Sequence, residues 1–209
     1  MVENVIIAIV AYLIGSINFS VILSKKMAGF DVREKGSGNA GTTNMLRSVG
    51  KKAAAITLIC DILKGVVAIL IAMLAGKILA NSNSSLLVQI AGISVILGHT
   101  FPIFFKFKGG KGVATSLGVL IMSNWQIGLI CLVFALVLII LTKMVSVGSI
   151  AAAILYPVLT LFIPQNYIVP GNYIIYSVIL AVLIVFNHRE NVKRLLSGTE
   201  NKISFKNTK

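Results

Sequence analysis

What most constrains this chain is a succession of apolar stretches with no charge in them. Residues 66–75, 86–97 and 127–141 contain no charged side chain at all. A helix needs about 20 apolar residues to cross about 30 Å of hydrocarbon, so the chain has room for roughly five to seven spanning helices. Composition supports this. Only 12% of the 209 residues are charged, whereas a soluble domain of this size carries roughly a quarter. The outer surface therefore faces something other than water.

Seven apolar segments are expected to be helices: residues 5–23, 53–75, 86–105, 112–122, 127–141, 149–163 and 173–186. The segment at 112–122 is short enough to suggest a re-entrant helix. Charge favours a crossing there. With seven crossings and the N-terminus outside, every one of the 19 basic residues except Lys64 and Lys77 falls on the inner face. Removing the crossing at 112–122 moves the basic tail outside, against the positive-inside rule. The expected fold is thus all-α and polytopic, a single seven-helix domain over residues 1–209. Its N-terminus is outside, and a basic cytoplasmic tail occupies 189–209. The first span is expected to be retained, because it lacks the basic n-region of a cleavable signal. No internal repeat is visible.

The net charge of +13 does not indicate nucleic acid. The basic residues sit in short segments between apolar runs rather than on a water-soluble domain. Positive-inside topology and anionic partners at a membrane surface account for them. Cys60 and Cys131 lie in apolar runs and form no disulfide framework.

Three polar segments on the expected inner face carry chemistry. The first runs Lys35-Gly36-Ser37-Gly38-Asn39-Ala40-Gly41-Thr42-Thr43-Asn44, followed by Arg47. Glycines allow successive backbone N–H groups to line an anion-sized concavity. Ser37, Thr42, Thr43 and Asn44 add neutral donors, and Arg47 adds a planar fork that matches phosphate. The Gly36, Gly38, Gly41 spacing is not a dinucleotide fingerprint, since no strand precedes it. The second segment is Gly98-His99-Thr100-Phe101-Pro102, then Phe107-Lys108-Gly109-Gly110-Lys111-Gly112. Lysines flank a glycine pair at the entry to a helix, whose N-terminus favours anions. In the third, His188-Arg189-Glu190-Asn191, helical spacing puts His188, Asn191 and Leu195 on one face. His188 is one of only two histidines, a residue type that can serve as a base near neutral pH, and is a candidate base.

Asp61 and Lys64 sit three apart inside a span, where they can pair. A functional role and a structural ion pair are both open to them. His99 is expected to pack rather than catalyse, and Ser146 is placed in a short inner loop near Lys143. No metal site is visible, because the six acids form no cluster with a histidine. No Asp follows either histidine at a distance of four: Ile103 follows His99 and Val192 follows His188.

Taken in order, these three segments resemble the three motifs of bacterial acyl-phosphate:glycerol-3-phosphate acyltransferases, the PlsY type. The Asp61-Ile62-Leu63-Lys64-Gly65 segment, the length and the hydropathy are similar too. The resemblance implies a seven-helix enzyme of the bacterial cell membrane with its active site on the cytoplasmic side. It would transfer a fatty acyl group from acyl phosphate to the 1-hydroxyl of glycerol 3-phosphate, giving lysophosphatidate and inorganic phosphate without a cofactor. By the same resemblance, Ser37, Thr43, Arg47, Lys108 and Lys111 would hold substrate phosphate, and Asn39, Gly109 and Gly110 would shape the loops. His188 and Asn191 would orient the glycerol hydroxyl with help from Ser146. The base is either His188 or a substrate phosphate oxygen. Two other classes fit the composition: an anion transporter, which would show midplane charges and repeated halves, and a lipid phosphotransferase, which would need the metal ligands that are missing.

Overall fold

The structure is a computed structural model that describes residues 2–79, 83–163 and 169–203. Among these residues it contains helices and no strand. Ten α-helices follow in chain order: α1 (Val2–Gly15), α2 (Phe19–Ala28), α3 (Thr42–Ser48), α4 (Lys51–Ile78), α5 (Ser84–Thr100), α6 (Val113–Ser123), α7 (Trp125–Thr142), α8 (Val145–Phe162), α9 (Ile174–Asn187) and α10 (Arg189–Leu196). The chain divides into two compact units, residues 1–125 with 165–172, and residues 126–164 with 173–209.

In the first unit α1 packs on α5, and α4 packs on α5 and α6. Small residues make these contacts close. A Cβ on Gly15 would strike the Val95 backbone, and one on Gly118 would strike the Ile62 carbonyl. Without a hydrophobic drive between helices in lipid, such backbone approach is how dispersion contacts accumulate. In the second unit α8 packs on α9, and α7 meets α8 where Gly148 abuts the Ala135 carbonyl. Large side chains such as Ile59, Leu63, Val133, Leu136, Ile140 and Val182 remain exposed. Charge-free exposed faces of this kind suit hydrocarbon.

Among the described residues, five helical segments are long and apolar enough to cross a membrane, and a sixth is obtained if α9 and α10, bent by 61° at His188, form one span. Helix α6 has 11 residues, a rise of roughly 16 Å. Three expectations change in detail. The first span is not one straight helix over 5–23: α1 ends at Gly15 and α2 begins at Phe19. Here the Asn18 side chain caps α2 by accepting from the Val21 N–H at 3.2 Å. The helix expected from residue 149 starts at Val145, so Ser146 lies in the first turn of α8 rather than in a loop. Residues 42–48, expected as loop, form the short helix α3.

Candidate active site

In the first unit the two glycine-rich loops are folded by buried polar side chains. Asn44 is 2% exposed. Its Nδ2 lies 2.8, 3.0 and 3.0 Å from the carbonyls of Val32, Lys35 and Asn39, while Oδ1 accepts the Ser37 N–H at 2.9 Å. Beneath it, Val21, Val32, Ala40 and Met45 form an apolar base. Gly36 takes φ +59°, and a Cβ there would collide with Asn44 Oδ1. The glycine is therefore required both by the left-handed backbone and by the closeness of Asn44. The sequence pointed to Asn44 as a phosphate donor, but its amide is spent on the loop's own carbonyls.

The loop leaves Ser37 exposed and Asn39 and Thr43 half-buried. Thr43 and Arg47 lie four apart on α3 and so share a helical face. Arg47 is exposed. These positions suit a soluble anion arriving from water.

Arg33 joins the first loop to the second, and nothing in its sequence setting singled it out. Its Nε and Nη2 donate to both carboxylate oxygens of Asp31 at 2.9 and 2.7 Å. Its Nη1 donates to the carbonyls of Phe105 and Lys108 at 2.8 and 3.0 Å. The Arg33 guanidinium, hydrogen-bonded to Asp31, holds that carboxyl below its ordinary value. The only local signal is the Asp-x-Arg spacing, and the decisive partners lie more than 70 residues away.

The second loop folds back along the end of α5. The Gly109 N–H donates to the Thr100 carbonyl and the Gly110 N–H to the His99 carbonyl, each at 3.1 Å. These two N–H groups are therefore committed within the loop and do not line an anion nest. What Gly109 and Gly110 supply is closeness. A Cβ on Gly110 would strike His99 Nε2 and come within 2.8 Å of the Ala40 carbonyl in the first loop. Lys108 is exposed and Lys111 half-buried. Phe101, Phe104 and Phe107 are exposed around them, as aromatic residues at a membrane–water boundary commonly are.

Under the second loop lies a buried polar cluster. The Lys64 Nζ is 2.9 Å from Asp61 Oδ1, and His99 Nδ1 is 3.5 Å from the same oxygen. Lys64 also donates to the carbonyls of Gly15 and Ile17 at 3.0 Å each. Both carbonyls sit at the α1–α2 break, where helical partners are lost. The pair foreseen at Asp61 and Lys64 thus exists, and it holds the break in the first span. His99, buried beside it, takes a packing position.

In the second unit Ser146, Asn191 and Arg194 gather on Glu200. Ser146 Oγ and Asn191 Nδ2 donate to Glu200 Oε1 at 2.9 and 2.8 Å, and Arg194 Nε donates to Oε2 at 3.0 Å. Burial alone would raise the Glu200 carboxyl, but these hydrogen bonds outweigh it and hold the group below its ordinary value. His188 sits at the bend between α9 and α10, 3% exposed, with Nδ1 2.8 Å from the Ile184 carbonyl. A carbonyl only accepts, so Nδ1 carries a proton and a neutral ring has its lone pair on Nε2. Glu200 escaped sequence reasoning. A single acid in a basic tail carries no motif, and its partners come from two separate stretches of chain, α8 and α10.

The chemistry on offer is anion binding and proton handling: exposed cations and hydroxyls on the first unit, a buried histidine with an amide and a hydroxyl in the second. Among the described residues no three His, Cys, Asp or Glu side chains gather as a metal site would require. The profile of the family described as glycerol-3-phosphate acyltransferase matches residues 5–198. The glycerol-3-phosphate acyltransferase of Thermoanaerobacter pseudethanolicus is 46% identical over 97% of this chain and 96% of its own. That of Clostridioides difficile is 44% identical over the same shares. The crystal structure of PlsY, an integral membrane glycerol 3-phosphate acyltransferase, in its glycerol 3-phosphate form is similar with a TM-score of 0.84 and 36% identity over 96% of both chains. Its lysophosphatidic acid form gives 0.82 and 34%, over 96% of this chain and 95% of the other.

Proposed function

Because this chain belongs to the glycerol-3-phosphate acyltransferase family, we propose that it moves a fatty acyl group from acyl phosphate to the 1-hydroxyl of sn-glycerol 3-phosphate. The products are 1-acyl-glycerol 3-phosphate and inorganic phosphate, the first step of phospholipid synthesis. Family membership carries this reading, since it extends over residues 5–198 and includes all three motifs. It makes the chain a multi-pass membrane acyltransferase, so the transporter and lipid phosphotransferase alternatives fall away.

The charge pattern supports seven crossings, an outer N-terminus and a cytoplasmic face for the site and tail, and family membership supports a bacterial cell membrane and one acyltransferase domain over residues 1–209. Both substrates carry phosphate, and Ser37, Thr43, Arg47, Lys108 and Lys111 are of the types that bind it. Asn39, Gly109 and Gly110 hold the loops in shape. Surrounding lipid admits the acyl chain, while glycerol 3-phosphate arrives from water.

In the reaction the glycerol oxygen bonds to the acyl carbonyl carbon and the bond from that carbon to the phosphate oxygen breaks. The hydroxyl proton passes to His188 Nε2 or to the departing phosphate. Acyl phosphate is already activated, so neither a covalent enzyme intermediate nor a cofactor or metal is needed. Positioning and charge stabilisation supply the acceleration. His188 and Asn191 orient the hydroxyl, and Ser146 assists.

Donor competition tests the proposal. Purified protein would receive labelled glycerol 3-phosphate with palmitoyl phosphate, palmitoyl-CoA or palmitoyl–acyl carrier protein. Labelled lysophosphatidate from palmitoyl phosphate alone is expected, and formation from either of the others at a comparable rate would overturn the donor assignment. A His188→Gln enzyme with near-normal kcat would assign the proton to substrate phosphate.

A further inference from the structure

We propose that Arg33 is a positioning residue that clamps the backbone of the second loop and thereby sets where Lys108 meets substrate phosphate. The backbone leading to Lys108 is held in an unusual shape. Lys106 and Phe107 both take φ +57°, a left-handed region that L side chains enter rarely, and then as single residues. Such conformations persist where the surroundings over-determine them. Within the segment, the Pro102 carbonyl accepts the Phe107 N–H at 3.0 Å, and the Phe105 carbonyl accepts the Lys108 N–H at 3.3 Å. From outside it, Arg33 Nη1 donates to the Phe105 and Lys108 carbonyls at 2.8 and 3.0 Å. These two carbonyls bracket the left-handed pair. With Nε and Nη2 on Asp31, four of the five guanidinium N–H groups are engaged. Arg33 is thus committed as a strut rather than as a phosphate ligand.

The strut is anchored in the first loop. Asp31 Oδ1 accepts the Arg33 N–H at 3.0 Å. The neighbouring Val32 is fully buried, and its carbonyl accepts Asn44 Nδ2 at 2.8 Å. Asn44 Oδ1 in turn accepts the Ser37 N–H at 2.9 Å. A continuous line of bonds therefore runs from Ser37 through Asn44, Val32 and Arg33 to the backbone of Lys108. It gives two loops that are remote in sequence one fixed spacing. Lysine carries its charge on a flexible stem, so the reach of its ammonium depends on where its backbone is held. Small misplacements of a binding group are costly to catalysis.

The proposal rests on Lys108 holding substrate phosphate. The test is a double-mutant cycle of Arg33→Gln with Lys108→Ala in the full-length protein in detergent, read by steady-state kinetics, melting temperature and tryptic cleavage. Arg33→Gln leaves the Asp31 carboxylate 8% exposed with Lys25 3.8 Å away, so Asp31→Asn/Arg33→Gln and Arg33→Lys are measured beside it. Arg33→Gln should lower kcat/KM about tenfold or more, toward the same substrate that Lys108→Ala weakens. In the Lys108→Ala background the same change should cost less than about threefold, because what it positions is gone. Arg33→Lys offers one nitrogen where three are used and should recover little. Cleavage after Lys106, measured against cleavage after Lys202, should be about fivefold faster once the clamp is lost; both lysines are exposed. Equal losses in both backgrounds would mean that Arg33 acts elsewhere, and wild-type activity in Arg33→Lys would mean that its charge alone matters. Unchanged cleavage would mean that the segment holds itself. Each overturns the proposal. If Lys108→Ala keeps wild-type kinetics, the phosphate role of Lys108 fails and the proposal with it. If Lys108→Ala is impaired while the Arg33 variants are not, only the role of Arg33 fails.

Discussion

Replacing Lys64 with methionine removes a cation while keeping a similar apolar stem. In the structure the Lys64 and Asp61 side chains are 3% and 2% exposed, and their charged atoms are 2.9 Å apart. Without Lys64 the Asp61 carboxylate remains buried with only His99 beside it, at 3.5 Å. Breaking a buried pair from one side costs about 3–5 kcal/mol. The Gly15 and Ile17 carbonyls lose donors at 3.0 Å and add to that cost. At roughly 2–4 °C per kcal/mol for a chain of this size, Lys64→Met should melt roughly 6–20 °C below wild type. The double variant Asp61→Asn/Lys64→Met removes the stranded charge and should recover much of the loss. The unmet carbonyls, at about 1 kcal/mol each, would remain. Heating in detergent with a thiol-reactive dye reads this directly, because Cys131 is buried and Cys60 half-buried in the folded protein. A Lys64→Met protein melting within about 2 °C of wild type would refute the reasoning, as would a double variant less stable than the single one.

Arg47→Ala should lower kcat/KM by roughly 30–150-fold, equivalent to about 2–3 kcal/mol of charged hydrogen bonding to phosphate; unchanged kcat/KM would remove Arg47 from the site. Gly110→Ala places a Cβ against His99 Nε2 and the Ala40 carbonyl. It should cost about 1–3 kcal/mol of stability, seen as a lower melting temperature together with weaker glycerol 3-phosphate turnover. Glu200 is held below its ordinary value of 4.5, so its docking contributes fully above that value and is lost as pH falls through the lower folded value. The protection factor of the Ile203 amide, its intrinsic exchange rate at each pH divided by the observed one, should therefore be flat from about pH 8 to about pH 5 and fall only below that. A protection factor that falls on raising the pH through neutrality would contradict the sign.

The membrane class and the positions of most spans were legible because continuous apolar runs are a local property of the chain. The break at Ser16–Asn18 was not. No proline marks it, and the donor that satisfies its carbonyls is Lys64, more than 45 residues away. Helix α8 was expected to start at Ser149, with Gly148 left in the preceding loop, yet Gly148 lies within the helix and lets α8 approach Ala135. The motif residues stood out by type and spacing, and the loops proved to be built by the ones that look interchangeable. Asn44 and Ser37 are both small polar residues in one stretch, but Asn44 is buried and folds the loop while Ser37 is exposed on it. Arg33 and Glu200 were invisible for much the same reason as the break: the Phe105 and Lys108 carbonyls reach Arg33, and Ser146 reaches Glu200, only through the fold.

The most direct test of the central claim is a stoichiometric one. Purified protein in lipid cubic phase would receive palmitoyl phosphate and glycerol 3-phosphate with EDTA present, and phosphate and lysophosphatidate would be counted together. The account predicts phosphate release that requires glycerol 3-phosphate and matches lysophosphatidate one for one. Release without the acceptor, or none from folded protein across several acyl chain lengths, would contradict it.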